Sequence, residues 1–283
     1  RPGWQVKFRP GAVLEFKQGS RLRVNGPVHL LGNKDAPVQL MIEPDFSPSK
    51  KSWGGLLVVN AGSQSRMRHV LVTGAPKTAI GGRQDANGLT GCITFYKSNL
   101  SIRNATFSGL HCEDALNIVH SKFNFDHLEI SDSKADALDS DFSHGKITNS
   151  TFRNNKNDDL DLSGSDVELR SSNFFNSGDK AISVGEGSIL EAGDIKITGA
   201  TAGVVSKDQS VVNIRNATMT NVNTGLMAYI KKPGWGPAKL NCHNCSFEHV
   251  ESIAVKQSQS TIVVNGNKVG TVPFSRKQLR IAG

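Results

Sequence analysis

Acidic residues crowd into the middle of this chain. Asp136, Asp139, Asp158, Asp159 and Asp161 lie close together in sequence, with Lys180 and Lys207 following and Asn117, Asp179, Glu186 and Asp208 set around them. The whole chain carries a formal net charge of +8, so this stretch is a local reversal of sign. Carboxylates a few Å apart repel and raise at least one pKa, so such a cluster persists where it holds a cation, shares protons or meets cationic neighbours. Inverting hydrolysis needs an acid and a carboxylate about 6.5 to 9.5 Å apart, a span that Asp136 with Asp161, or Asp139 with Asp159, could provide. Elimination or epimerisation next to a carboxylate needs a base and a neutralising cation. Lys180 or Lys207 could fill either role, with Ca²⁺ on Asp139 and Asp161, since hard oxygen ligands suit that ion. The alternative is that these aspartates only cap turns.

A repeat brings these residues together. From Ala115 the chain divides into lengths of 22 that begin at Ala137, Asp159, Ala181 and Gly203, and a further length begins at Gly225 with about six residues inserted around Lys232 to Gly236. The second and fourth positions of each length are mostly apolar (Leu116 and Ile118, Leu160 and Leu162, Ile182 and Val184), an alternation that predicts a strand with one face inward. A second strand is marked by Phe123 and Phe125, Val167 and Leu169, Val212 and Ile214. A third apolar mark falls at Phe107, Ile130, Phe152, Phe174, Ile197 and Met219. Repetition at 22 stacks each strand on its equivalent, so the fold expected is all-β, a right-handed single-stranded parallel β-helix. Residues that share a position in the repeat then form columns: Asn117, Asp139, Asp161 and Ser183 outward on the strand, and Asp114, Asp136, Asp158 and Lys180 just before it.

One domain over 1–283 is expected, with N-terminal coils over 1–92, an excursion loop near 45–52, regular coils over 93–274 and a tail over 275–283. Long helices are not expected, because no stretch has a persuasive 3.6-residue apolar period. No apolar run is long enough to span a membrane. The basic residues are scattered and not interleaved with aromatics, which argues against nucleic acid as a partner. Cys92, Cys112, Cys242 and Cys245 lack the second paired half of a zinc site, and are expected as two disulfides or as buried thiols.

The segment Asn173 to Val184 and the segment Gly11 to Phe16 resemble the coils and entry segment of secreted right-handed β-helix proteins of the pectate-lyase-like superfamily. The resemblance covers nearly the whole chain and implies a secreted, periplasmic or cell-surface protein that acts on or binds an acidic polysaccharide, as a lyase, epimerase or hydrolase, within a longer chain. The Gly-His-Gly and Arg-Ile-Lys elements of polygalacturonases are absent, which counts against hydrolysis of that type. Two other readings stay open: a non-catalytic structural or adhesive segment that binds glycan, and a tailspike. The first two imply a monomer and the third a trimer.

Overall fold

A computed structural model describes residues 4–16, 20–42, 55–74, 89, 91–271, 274 and 278. Its ordered elements form one continuous sheet of 23 strands, parallel throughout except for a short antiparallel return between Val263–Val264 and Asn267–Lys268. Each coil contributes a strand to three stacks. The first stack runs through Gly91–Tyr96, Asp114–Val119, Asp136–Asp141 and Leu160–Ser163. It continues through the last residues of the long strands Asn173–Gly185, Ile189–Lys207 and Val211–Tyr229.

The register follows the repeat. Leu116 pairs with Leu138, Leu138 with Leu160, Leu160 with Ile182, Ile182 with Val204 and Val204 with Leu226, and all six side chains are fully buried. The second and third apolar marks are buried as well, and one hydrophobic core runs from Phe16 to Ile262. Burial of a leucine column at every step provides the drive for stacking.

Turn chemistry holds the corners. After the first-stack strands from Gly91–Tyr96 to Ile189–Lys207 the chain turns through left-handed residues, Lys97, His120, Phe142, Gly164, Glu186 and Asp208, with Gly187 and Gln209 joining the last two. One or two residues further on a buried serine follows, and these serines form a ladder. The Ser98 amide donates to Ser121 Oγ, Ser121 to Ser143, Ser143 to Ser165 and Ser165 to Ser188, over 2.8 to 3.0 Å. An extra residue enters the corner at Glu186 to Ser188, so that Asp166 pairs with Ile189, 23 positions on. It is taken back where Ser177 pairs with Ala200 and Lys180 with Ala202.

The strands Val6–Phe8, Val13–Phe16, Arg21–Val24 and Val38–Ile42 lie in the first coils of the solenoid. The excursion loop expected near 45–52 lies outside the described residues. Among them no helix is long and apolar enough to cross a membrane. The cysteines pair as Cys92 with Cys112 and Cys242 with Cys245.

Candidate active site on the first stack

On the first stack the outward column reads Thr94, Asn117, Asp139, Asp161, Ser183, Val205 and Met227 in direct register. The chain itself closes this column at its C-terminal end, where Val205, Met227 and Val255 are buried with Tyr229 and Phe274 packs against them. The open part of the column is thereby confined to the coils that carry the aspartates.

Within it the aspartates do different work. Asp136 Oδ1 accepts the Asp158 amide at 2.9 Å and the Asn157 side-chain amide at 2.6 Å, and Asp158 Oδ1 accepts the Lys180 amide at 3.1 Å. These two cap the coil that follows. Asp139 and Asp141 instead receive the Asn117 side-chain amide, at 3.0 and 3.4 Å. Asp161 faces Lys207, whose Nζ lies 3.7 Å from Oδ1. Asp159 turns inward: it is fully buried, with Oδ1 taking the Asn155 amide at 2.7 Å and Oδ2 the Ser177 hydroxyl at 2.5 Å. Asp159 is therefore set apart from the outward groups with which the spacing places it.

The electrostatics divide the strip in two. Burial, then the neighbouring charges of Asp158, Asp161 and Asp114, push the Asp136 carboxyl up to about 8. Burial also drives Asp139 well above its ordinary range, helped by Asp114, Asp141 and Asp161, and it raises Asp141. Of these, Asp136 holds its proton near neutral pH. One coil further on the lysines take over. Burial raises Asp158 only to about 6, because Lys180 and Lys207 oppose it. Burial would lower the Lys180 ammonium, but Asp158 and Asp179 more than offset this and hold it above its usual range. Lys180 pairs with Asp179 and lies 3.4 Å from Asp158, so it serves as a fixed positive charge and not as a base.

Lys207 reaches Asp161 because residue 185 is glycine. A Cβ built there would lie 2.7 Å from Lys207 Cε and 3.1 Å from Cγ, so the lysine stem occupies the space a side chain would fill. Asp208, just past Lys207, is fully buried, and its Oδ1 accepts the amides of Lys231 and Lys232 at 2.6 and 2.8 Å, fixing the start of the inserted loop. Glu186 pairs with Lys232 from that loop.

Two residues absent from the sequence candidates belong to this half. Tyr229 stands one repeat after Lys207 and pairs with it in register. It is 1% exposed, its hydroxyl has no hydrogen-bond partner, and burial pushes it well above its usual range. Lys231 is held below the usual lysine range by burial and by Lys207 and Lys180. The visible signal for Tyr229 is its place in the Lys207 column, 22 residues on; for Lys231 there is none, because it begins the insertion.

At the two residues expected to hold calcium, Asp139 receives the Asn117 amide and Asp161 faces the Lys207 ammonium, and among the described residues no group of three His, Cys, Asp or Glu side chains is placed to hold a metal ion. Calcium needs six to eight oxygen ligands, with the carboxylates ionised.

Residues 114–269 match the model of the right handed beta helix region. The chain belongs to the right-handed β-helix family. Among solved structures, it is similar to the catalytic domain of a GH87 α-1,3-glucanase in complex with nigerose, at 13% identity and a TM-score of 0.50, over 92% of this chain and 64% of that one. A second structure of that glucanase domain, holding tetrasaccharides, matches at 13% identity and a TM-score of 0.50, over 91% of this chain and 63% of the other. An alginate lyase from Paenibacillus sp. str. FPU-7 matches at 13% identity and a TM-score of 0.45, over 91% of this chain and 90% of that one. The chain thus spans somewhat less than two thirds of the glucanase domain. At these identities the likeness concerns the fold. A comparison with the sequences of curated proteins finds no match.

Proposed function

We propose that this β-helix binds an acidic polysaccharide along the first-stack strip and acts on it by proton transfer. Asp136 is the proton-bearing acid, Asp158 its ionised partner, and Lys207 the group that meets a uronate carboxylate. The observation that carries this reading is the juxtaposition of two carboxyl groups, one pushed up to about 8 and the other held near 6 by Lys180, on adjacent coils beside the part-exposed Asp161. Environments that push paired carboxyls apart are how one site keeps an acid and a base together at neutral pH. Lys207, braced over Gly185, adds a positive charge that an anionic sugar can approach. A glucanase domain in complex with saccharides shares the fold, which supports a polysaccharide as the ligand class. Two disulfides suit an oxidising compartment and so support a secreted or cell-surface protein.

The test is a screen of purified protein against uronic-acid polysaccharides, following absorbance at 235 nm for unsaturated product and reducing ends for hydrolysis. Product with either readout, lost in Asp136→Asn and Asp161→Asn, is expected. The amide caps from Asp136 and Asp158 favour a second reading, a non-catalytic glycan-binding rod. Glycan binding without product in either assay would select it.

A further inference from the structure

The second stack gathers basic residues that stand far apart in sequence. It runs through Val6–Phe8, Val28–Leu31 and the first residues of Ser65–Thr73, Leu100–Ser108 and Lys122–Ser131. It continues through His144–Thr148 and Asp166–Arg170. Its outward residues form two columns in direct register. Lys7, His29, Arg66 and Ser101 make one, and Leu31, Arg68, Arg103 and Asp126 make the other. Lys7, Arg66 and Arg68 are exposed, and with parallel strands about 4.8 Å apart they lie within about 10 Å along the axis and 7 Å across it.

Further along the same face the cations are neutralised. Arg103 lies 3.6 Å from Asp126, and Lys146 and Arg170 each lie 3.2 Å from Glu168. Among the described residues no carboxylate pairs with Lys7, Arg66 or Arg68. The half-buried His29 sits between Lys7 and Arg66 in the column, and its Nδ1 has no hydrogen-bond partner. Burial, then the charges of Arg66 and Lys7, hold its imidazole below the ordinary histidine range, as expected where no counter-ion is at hand. Arg68 is braced: its Nε donates to the Gly32 carbonyl at 3.3 Å, which fixes the guanidinium and leaves its terminal nitrogens for a two-pronged partner such as a carboxylate.

We propose that Lys7, Arg66 and Arg68 form an anchoring surface for a uronate polymer, on a different stack from the acidic strip. The inference rests on the polysaccharide reading above and adds a second place where the same polymer is held. A polymer with one carboxylate on each sugar meets a row of unpaired cations at every coil, and the attraction draws it to the protein before the strip engages it. Two observations favour a glycan over nucleic acid. The two columns carry no Phe, Tyr or Trp on which bases could stack. The two disulfides suit an oxidising compartment, outside the cytosol.

The experiment titrates polygalacturonate, alginate and a single-stranded oligonucleotide into the full chain at low and at raised salt, and follows product formation in parallel. At least one of the two glycans should bind the parent. The double variant Arg66→Ser with Arg68→Ser should weaken that binding about tenfold and flatten its salt dependence, with an unchanged melting temperature because both side chains are exposed. A second double variant, Lys146→Ser with Arg170→Ser, removes the same two charges from paired positions on the same stack and should stay within twofold of the parent. Equal losses in the two double variants would mean that only net charge matters and would overturn the anchor. Parent-like affinity in Arg66→Ser with Arg68→Ser would overturn it too, and leave the strip reading standing. Binding that depends on Arg66 and Arg68, without product from either glycan, would support the anchor and remove the proton-transfer reading. No binding of either glycan to the parent would overturn both. Tighter binding of the oligonucleotide, with the same dependence on the two arginines, would assign the patch to nucleic acid and overturn the glycan.

Discussion

The two halves of the first-stack strip share one backbone geometry and differ in how they deal with charge. In the half that holds Asp136, Asp139 and Asp141 the carboxyls meet neutral amides, those of Asp158, Asn157 and Asn117, and burial with mutual repulsion raises all three, Asp136 to about 8. From Asp158 to Lys232 the carboxylates along the strip meet lysines or backbone amides: Lys180 with Asp158 and Asp179, Lys207 with Asp161, Lys232 with Glu186, and two amides on Asp208. The same residue type on the same column is therefore an acid in one half and a counter-ion in the other. A periodic scaffold supplies position; the neighbours set the chemistry.

The largest effect that can break this comparison is on turnover. Asp136→Asn keeps the oxygen that accepts the Asp158 amide but lacks the transferable proton, and product formation should fall about 10²- to 10⁴-fold while glycan affinity changes little. Turnover within twofold of the parent would remove the acid half from the mechanism. Next in size is a stability effect meant to separate two adjacent aspartates. Asp159→Ala leaves Asn155 and Ser177 without their buried partner and should cost about 1 to 3 kcal/mol in urea unfolding, with catalysis by the folded protein unchanged. Catalytic loss at unchanged stability would return Asp159 to the site.

The lysine half is probed by affinity. Lys207→Ala should weaken binding of a uronate polymer about tenfold, roughly 1.4 kcal/mol, and should flatten its salt dependence without affecting a neutral glucan. Gly185→Ala should move affinity the same way by less, since the new methyl only displaces the lysine stem. The smallest expected change concerns pH. Asp136 binds its proton more tightly folded than unfolded, so stability is fully present below about pH 4 and is lost as pH rises towards about 8. Melting temperature should decline over that window, and less so in Asp136→Asn. A melting temperature that rises from pH 4 to 8 would show the carboxyls of this half to be ionised.

Much of this was legible because the repeat is literal. The leucine column, the outward Asn117, Asp139, Asp161 and Ser183, and the column before the strand all follow from counting by 22. Counting fails at two kinds of place. At the turn into the strand, alternation does not yet hold, so Asp158 and Asp159 read alike although one faces the strip and the other the interior beside Asn155 and Ser177. Past residue 229 the insertion breaks the period, which hides the approach of Lys231 to Lys207 and Lys180.

The serine ladder has a mechanical consequence. Each step passes one coil's amide to the next coil's hydroxyl from Ser98 to Ser188, but Ser188 donates no such bond onward, and Ser210 Oγ is buried without a partner. Under tension applied to its two ends, a rod built this way should give first at the step between 188 and 210 and then peel coil by coil. Each coil released would lengthen the tether by about 75 Å, the contour of 22 extended residues, and a force trace in single-molecule stretching should rise in teeth of that spacing. A tether that opens in one event would mean that the leucine column, and not the corners, carries the load.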